Sequence, residues 1–234
     1  MYGYYGYYYG YDYAYYLLVI VSLVLGLITQ AYINHEYKKW SRVPSDGRTG
    51  ADVARRMLAE NGCGDVGIKS VKGSLTDYYD PRDNCLYLSR ENRYGGSVAG
   101  VAVACHEAGH ACQRAQGYGL YNLRQKLVPV VNFTQNAWMV VFIIGVVLNM
   151  GGLTTLAILL FAFSVIFQLV TLPVELNASN RAVTYIRESG MSEENVEGAR
   201  KVLTAAALTY VAAALTSILQ LLYLLASTDR NDRG

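Results

Sequence analysis

The sequence predicts a mainly α-helical integral membrane protein, with four transmembrane helices and a small α+β domain between the first and second of them. Hydrophobic residues make up 53% of the 234 residues, and charged residues make up only 16%. The charges are unevenly distributed, because no Asp, Glu, Lys or Arg occurs between Lys126 and Glu175. An uncharged segment of this length cannot form a water-soluble surface, so we expect it to lie in lipid.

The chain begins with a low-complexity segment, residues 1–14, that consists almost entirely of tyrosine and glycine. It contains no Lys or Arg for a signal-peptide n-region, and the apolar run that follows it has no small-residue cleavage site. We expect this segment to be disordered outside the membrane, with the last tyrosines of the run at the level of the lipid headgroups.

Four apolar stretches are long enough to span a bilayer, which takes about 20 predominantly apolar residues per helix. They are residues 15–33, 129–149, 153–172 and 202–226. The second and third are joined at 149–152 by a short uncharged junction of turn residues, which is typical of a tight hairpin. The fourth follows a helix start at Ser192 and precedes a short tail, residues 227–234.

Residues 34–127, between the first and second spans, are the only segment large enough to form a domain. Within it, residues 50–61 have apolar side chains at helical spacing. Residues 66–71 and 85–88 alternate as short strands, with a turn region at 80–84 between them. An edge strand of this sheet could hold an extended substrate by backbone pairing, and an ordinary hairpin packed on the next helix is the alternative.

The distribution of basic residues predicts the orientation in the membrane. Of the 20 Lys and Arg residues, 14 lie between the first and second spans and four lie at 173–201, between the third and fourth. Basic loops face the cytoplasm, so both segments are expected there and both termini outside. The predicted location is therefore the cell membrane, as a multi-pass protein. No basic stripe with interleaved aromatic residues is present, so nucleic acid is not an expected partner.

The motif that organises this prediction is His106-Glu107-Ala108-Gly109-His110. Two histidines four residues apart on a helix lie about 40° apart around its axis, so both can bind one ion. Glu107 lies beside the open position of that ion, where it can accept a proton from bound water. This H-E-x-x-H pattern is typical of zinc peptidases and makes a zincin-like catalytic domain the expectation for 34–127. The alternative is a buried helix with two core histidines.

Zinc held by two histidines needs a third protein ligand, and Glu175 is the preferred candidate. It is the first charged residue after 48 uncharged ones, and a carboxylate at that depth is costly unless it is paired or metal-bound. The predicted topology also places it on the same side of the membrane as both histidines. The other candidates are His35, Asp77, Asp80 and Glu91.

The four cysteines are predicted to be free thiols, because none forms a C-x-x-C pair and their domain is expected in the cytoplasm. They are Cys63, Cys85, Cys105 and Cys112. The last two flank the metal motif without sharing the spacing of its histidines, so they are interpreted as small packing residues.

From about residue 31 onward, the chain resembles the YugP-type bacterial membrane zinc metallopeptidases, a family of neutral zinc metallopeptidases. The stretches that carry the resemblance are 37–44, 73–81, 86–89, 104–113 and 171–179. The tyrosine-rich beginning lies outside it. Residues 175–178 also resemble the E-x-x-A stretch that supplies the glutamate ligand in membrane-bound gluzincins, which supports Glu175.

Those gluzincins usually carry an aspartate directly after the alanine, where this chain has Ser179. A carboxylate that orients a histidine would then come from elsewhere, and Asp77 is the candidate. Arg181, Tyr185 and Tyr210 are candidates for stabilising the oxyanion of the transition state.

The predicted function is a membrane-bound, zinc-dependent endopeptidase that hydrolyses peptide bonds of protein or peptide substrates at the cytoplasmic membrane surface. Zn²⁺ would be held by His106, His110 and Glu175, with Glu107 as the catalytic base. Two alternatives remain open: an intramembrane metalloprotease, and a membrane scaffold or partner-binding protein with a structural or vestigial metal site.

Overall fold

The computed structural model describes residues 13–231, so most of the predicted low-complexity segment lies outside the described residues. Seven helices and three strands occur within that range: α1 (Tyr13–Trp40), α2 (Gly50–Glu60), β1 (Gly67–Val71), β2 (Tyr78–Asp80), β3 (Cys85–Ser89), α3 (Arg90–Tyr94), α4 (Val98–Ala115), α5 (Gly119–Val147), α6 (Gly151–Glu188) and α7 (Glu193–Asn231).

Four of these helices, α1, α5, α6 and α7, are long and apolar enough to cross a membrane. Only 6% to 33% of the residues in their most apolar windows are buried inside the protein. Apolar surface of that extent is compatible with lipid rather than water around it. The prediction of a mainly helical protein with four candidate membrane-spanning helices and a small sheet is therefore confirmed.

All four long helices extend beyond the predicted spans, and α5 and α6 do so through a proline. α5 begins ten residues before the predicted start at 129 and continues through Pro129. α6 continues through Pro173 to Glu188, so much of the predicted 173–201 segment is an extension of the third span. Proline removes one backbone hydrogen bond, but a helix packed against neighbouring helices can continue through it.

The three strands form a sheet in the order β1-β3-β2. β2 and β3 are an antiparallel hairpin, and β1 pairs with β3 in parallel. The predicted strands at 66–71 and 85–88 both exist, but they do not form a hairpin with each other. No strand was predicted at the position of β2, which forms the edge of the sheet that faces α4.

A single hydrophobic core joins the domain to the membrane helices. It contains α4, α2 and the inner side of the sheet, together with Tyr37 and Trp40 of α1, Val174 of α6 and Val202 of α7. A second, smaller cluster around Phe161 holds α6 against α7 further along the bundle. The helix that carries the histidine motif, α4, therefore packs against all four long helices, including α5 through Tyr121.

Candidate metal centre

The helix α4, which carries the histidine motif, is largely buried in the protein. Ser97 caps its beginning, where the Oγ atom accepts a hydrogen bond from the backbone N–H of Gly100 at 3.2 Å. Small residues fill most of the helix surface, which allows it to be buried on several sides. Glu107 and His110 are buried, with 9% and 7% of their surface exposed, and His106 is half-buried.

The third side chain of the cluster, Glu175, belongs to α6, which lies very close to α4. A Cβ atom on Gly109 would lie 2.9 Å from the carbonyl oxygen of Ala178, so only glycine allows this approach. Glu175, three residues before Ala178, is thereby placed opposite the two histidines with 1% of its surface exposed. One ligand atom each of His106, His110 and Glu175 lies within 4.8 Å of the others.

Two of the distances within this cluster fit a tetrahedral zinc site. Glu175 Oε2 lies 3.2 Å from His106 Nε2 and 3.4 Å from His110 Nε2. Ligands about 2.05 Å from a tetrahedral zinc ion are about 3.3 Å apart. The imidazole and carboxylate donors are also the kinds of ligand that zinc takes in catalytic sites.

The hydrogen bonds around His110 fix the orientation of its ring. Gln113 Nε2 donates hydrogen bonds to the backbone oxygen of Val174 at 2.8 Å and to Asn177 Oδ1 at 2.9 Å, so its Oε1 is left as an acceptor. That oxygen lies 2.9 Å from His110 Nδ1, which must therefore donate. The Nε2 atom of His110 is thereby left to face the Glu175 carboxylate, in the position from which it could bind a metal ion.

His106 is oriented by Ser179, the residue that replaces the aspartate of the gluzincin pattern. Ser179 Oγ lies 3.1 Å from His106 Nδ1. The group that orients His106 therefore lies at the same position relative to Glu175 as the aspartate of the gluzincins, but it is a neutral hydroxyl. Asp77, the predicted substitute, has a different role: its oxygens accept hydrogen bonds from the backbone N–H of Ser89 at 2.6 Å and from Asn92 Nδ2 at 2.8 Å. It ties the segment before β2 to the beginning of α3.

Arg124 of α5 completes the cluster and was not predicted. Its guanidinium lies 3.2 Å from Glu175 Oε1, while Oε2 faces the two histidines. The sequence contained a signal for this pair. Arg124 lies 25 residues before Asn149 and Glu175 lies 25 residues after Met150, so an antiparallel hairpin with its turn at 149–150 brings them to the same level.

Glu107 lies beside the cluster of His106, His110 and Glu175, on the side of the sheet. Its Oε2 accepts a hydrogen bond from the backbone N–H of Tyr79 in β2 at 3.0 Å. Burial raises the pKa of Glu107 to about 7, with smaller contributions from the negative charges of Glu175 and Asp77, while His106 and the hydrogen bond from Tyr79 oppose the rise. A carboxyl group with a pKa near neutrality can both accept and return a proton.

The three residues predicted to stabilise an oxyanion have different surroundings. Tyr210 of α7 lies beside Glu175 and lines the space around the cluster. Tyr185 lies on another side of α6, near Glu60. Arg181 Nε donates to Asn177 Oδ1 at 2.8 Å and its NH1 donates to Gln116 Oε1 at 2.6 Å. Arg181 therefore supports His110 through Asn177 and Gln113.

The other candidates for the third ligand are placed elsewhere. His35 is exposed on α1, and Glu91 is exposed on α3. Asp80 is paired with Arg82 at 2.7 Å. The four cysteines are buried free thiols, and Cys63 Sγ lies 3.5 Å from Cys112 Sγ.

Two cavities open onto the cluster. One, the apolar cavity, has a volume of about 320 Å³ and extends between α1 and α7. The other, the polar cavity, has a volume of about 160 Å³ and extends between β2 and the beginning of α5, where Tyr79, Tyr121 and Arg124 line it. Both are lined by His106 and Glu107, so the cluster is accessible from two directions.

Comparison with known proteins agrees with these features. A family model described as "Putative neutral zinc metallopeptidase" matches residues 15–229. A protein of Bacillus subtilis (strain 168), "Putative membrane protease YugP", is 47% identical over 207 residues, which cover 88% of this chain and 92% of that protein. No solved structure matches this chain.

Proposed function

Because this chain belongs to the neutral zinc metallopeptidase family, we propose that it is a membrane-bound, zinc-dependent endopeptidase. The observation that carries the proposal is the convergence of the His106 and His110 Nε2 atoms on Glu175 Oε2, at 3.2 and 3.4 Å, with Glu107 beside them. Three ligands of this kind, a neighbouring carboxylate and two adjoining cavities are what hydrolysis of a peptide bond by activated water requires.

His106, His110 and Glu175 hold the zinc ion in this proposal. Zinc at this place supplies a Lewis acid and lowers the pKa of a bound water molecule toward about 7. Ser179 and Gln113 fix the two imidazole rings through their Nδ1 atoms, and Arg124 holds the far oxygen of Glu175. Each ligand is thus oriented by a partner, which strengthens metal binding.

Glu107 acts as general base and then as general acid. It accepts a proton from the attacking water and returns that proton to the departing amine. The backbone N–H of Tyr79, which now contacts Glu107, lies on the open edge of β2 beside the site. An extended substrate that pairs with this edge would pass directly beside the cluster.

Tyr210 is the proposed donor to the oxyanion that develops on the substrate carbonyl. Its position beside Glu175, on the walls of both cavities, supports this role. A hydroxyl group aimed at developing negative charge in a site of low polarity is a strong source of transition-state stabilisation.

The open surroundings of the cluster favour catalysis over a structural metal. Structural zinc sites are normally closed by four protein ligands, and here three side chains converge next to two cavities. A scaffold with a structural metal has no comparable support. An intramembrane protease has less support too, because the motif helix α4 is not among the candidate spans of the described residues.

The proposed location of the site is the cytoplasmic surface of the cell membrane. The two predicted basic loops both contribute to the cluster, the first through His106 and His110 and the second through Glu175 at its start. That agreement supports a topology with both loops on one side of the bilayer, and the excess of Lys and Arg in them favours the cytoplasm.

The test is a Glu107→Gln variant of the full chain, purified in detergent or nanodiscs. It should bind as much zinc as the wild type and should cleave an unfolded test protein at least 100-fold more slowly, the lower end of what general acid–base catalysis contributes, roughly 10²–10⁴-fold. Chelation should remove wild-type cleavage, and added zinc should restore it. Undiminished cleavage by the variant would contradict the proposal.

A further inference from the structure

The two cavities beside the metal cluster differ in chemical character. Away from the cluster, the apolar cavity is walled mostly by aliphatic side chains, among them Ile33, Leu75, Val103 and Leu203, together with the polar side chains of Gln30 and Thr209. The polar cavity is walled by tyrosines, Gln125 and Arg124. A substrate that reaches the cluster therefore meets two different environments.

An extended peptide presents its side chains to such cavities in a fixed way. Successive side chains of an extended chain point in opposite directions. If the bond to be cleaved lies at the cluster, the side chains of the two residues on either side of that bond point toward different walls of the site. The two cavities extend from shared residues toward different elements, α1 and α7 on one side and β2 and α5 on the other. The geometry thus matches one flanking side chain to each cavity.

The apolar cavity has room for a side chain of substantial size. At about 320 Å³, it could hold roughly ten water molecules of ~30 Å³ each. Ala206 is part of its wall on α7, and that small side chain leaves the space open. A leucine-sized side chain that fills this space would displace water from an aliphatic wall, which favours binding.

The apolar cavity also lies at the edge of the predicted spans. Ile33 ends the apolar stretch of α1, and Leu203 is near the beginning of that of α7. Nearby on the outer faces of the two helices, Tyr32 and Leu208 are each 39% exposed. Apolar side chains exposed at that level adjoin lipid, so the cavity is placed where the helices leave the bilayer.

We propose that the apolar cavity selects protein segments at the membrane surface with a leucine-sized aliphatic side chain on one side of the cleaved bond. The residue on the other side of the bond faces the polar cavity. This inference rests on the proposed peptidase function and specifies its substrate class.

The test uses the full-length, zinc-loaded protein in nanodiscs and quenched fluorescent peptides that differ only at the two positions flanking the bond. On one flank, kcat/KM with leucine should exceed kcat/KM with lysine at least tenfold, because the ammonium group of lysine would lose its hydration among aliphatic side chains. The same peptide attached to a transmembrane helix should be cleaved faster than its free form. Equal cleavage of the leucine and lysine peptides, or of the anchored and free forms, would overturn the inference.

A cavity variant links the preference to the proposed wall. Ala206→Leu should lower kcat/KM roughly 10–100-fold for the leucine peptide, because the added carbon atoms occupy the cavity. For a third peptide, with alanine at the same position, the loss in kcat/KM should be much smaller. Ala31→Leu, on the exposed face of α1, is the matched control and should change neither value. Equal losses for both peptides in Ala206→Leu would contradict the assignment.

Binding provides a measurement that does not depend on turnover. The Glu107→Gln variant should bind the leucine peptide more tightly than the lysine peptide by a similar factor. If wild-type protein cleaves peptides but neither measurement shows a preference, the inference alone fails. If it cleaves no peptide in a zinc-dependent way, the proposed function fails and the inference fails with it.

Discussion

Gly109 and Ala178 are in contact through their backbones, since a Cβ atom on Gly109 would lie 2.9 Å from the Ala178 carbonyl oxygen and 3.2 Å from its Cα atom. This contact joins the helix that carries both histidines to the helix that carries Glu175. The distance between α4 and α6 at this point therefore sets the geometry of the metal cluster.

The first prediction concerns this contact. Gly109→Ala should separate the two helices locally, destabilise the protein by about 1–3 kcal/mol and weaken zinc binding, because overpacking is relieved by moving backbone. Zinc affinity by chelator competition and thermal unfolding are the measurements. Gly119→Ala is the control, since a Cβ atom there meets nothing within 4 Å. Unchanged zinc affinity in Gly109→Ala would show that the site tolerates a wider separation.

The second prediction concerns the hydroxyl that orients His106. Ser179→Ala should lower zinc affinity roughly 10–100-fold, the usual effect of losing a group that orients a ligand. Ser179→Asp should raise affinity above the wild type, because a carboxylate makes the imidazole a better donor. Ser164→Ala on the same helix is the control, since its Oγ is buried without a hydrogen-bond partner. Equal affinities in all three variants would rule out this role.

The third prediction concerns the ion pair between Arg124 and Glu175. Arg124→Gln should lower zinc affinity roughly 10–100-fold, because Glu175 Oε1 loses the cation that holds it. Arg124→Lys should recover part of the loss, since it keeps the charge but not the planar fork. Lys126→Gln, two residues further along and exposed, should bind zinc normally. If Arg124→Gln binds zinc normally and loses turnover instead, Arg124 contacts substrate.

The fourth prediction separates the two tyrosines. Tyr210→Phe should lower kcat by about 10²–10³ with zinc content unchanged, as expected for the loss of one donor to an oxyanion. Tyr185→Phe should leave kcat close to the wild-type value, because Tyr185 lies near Glu60 and lines neither cavity at the cluster. A loss confined to KM in Tyr210→Phe would assign Tyr210 to substrate binding instead.

The fifth prediction concerns orientation in the membrane. A membrane-impermeant maleimide should label Met150→Cys in intact cells, because the hairpin between α5 and α6 is expected outside. It should label Arg82→Cys, in the exposed turn between β2 and β3, only after the cells are permeabilised. The wild-type protein, whose four cysteines are buried, gives the background. The reverse labelling pattern would place the site on the outer surface.

The features that could be predicted from sequence are those that depend on local pattern or on the cost of a charge in lipid. The spacing of His106 and His110 fixes their relation on any helix, and four apolar stretches identify the spans. Glu175 was predicted from its isolation after 48 uncharged residues, and the structure places it beside both histidines. Its role as a ligand stays a proposal.

The features that escaped prediction depend on contacts between distant segments. The three-residue strand β2 is too short for an alternating pattern to identify, and its pairing with β3 defines it. Pro173 indicated the end of a helix, but packing of α6 against α4 and α7 carries the helix past it to Glu188. The roles of Asp77 and Arg181 depend on Asn92 and Asn177, whose positions no local pattern specifies.

The shared core has a consequence for how the protein is made. A growing chain that has reached residue 150 contains both histidines of α4 but neither Glu175 nor Tyr210, which arrive with the third and fourth spans. The ion-binding set is complete only when α6 has folded back along α5, and the wall that includes Ala206 requires α7 as well. If the chain is a hydrolase as proposed, the order of synthesis would delay its activity until α6 and α7 are in place.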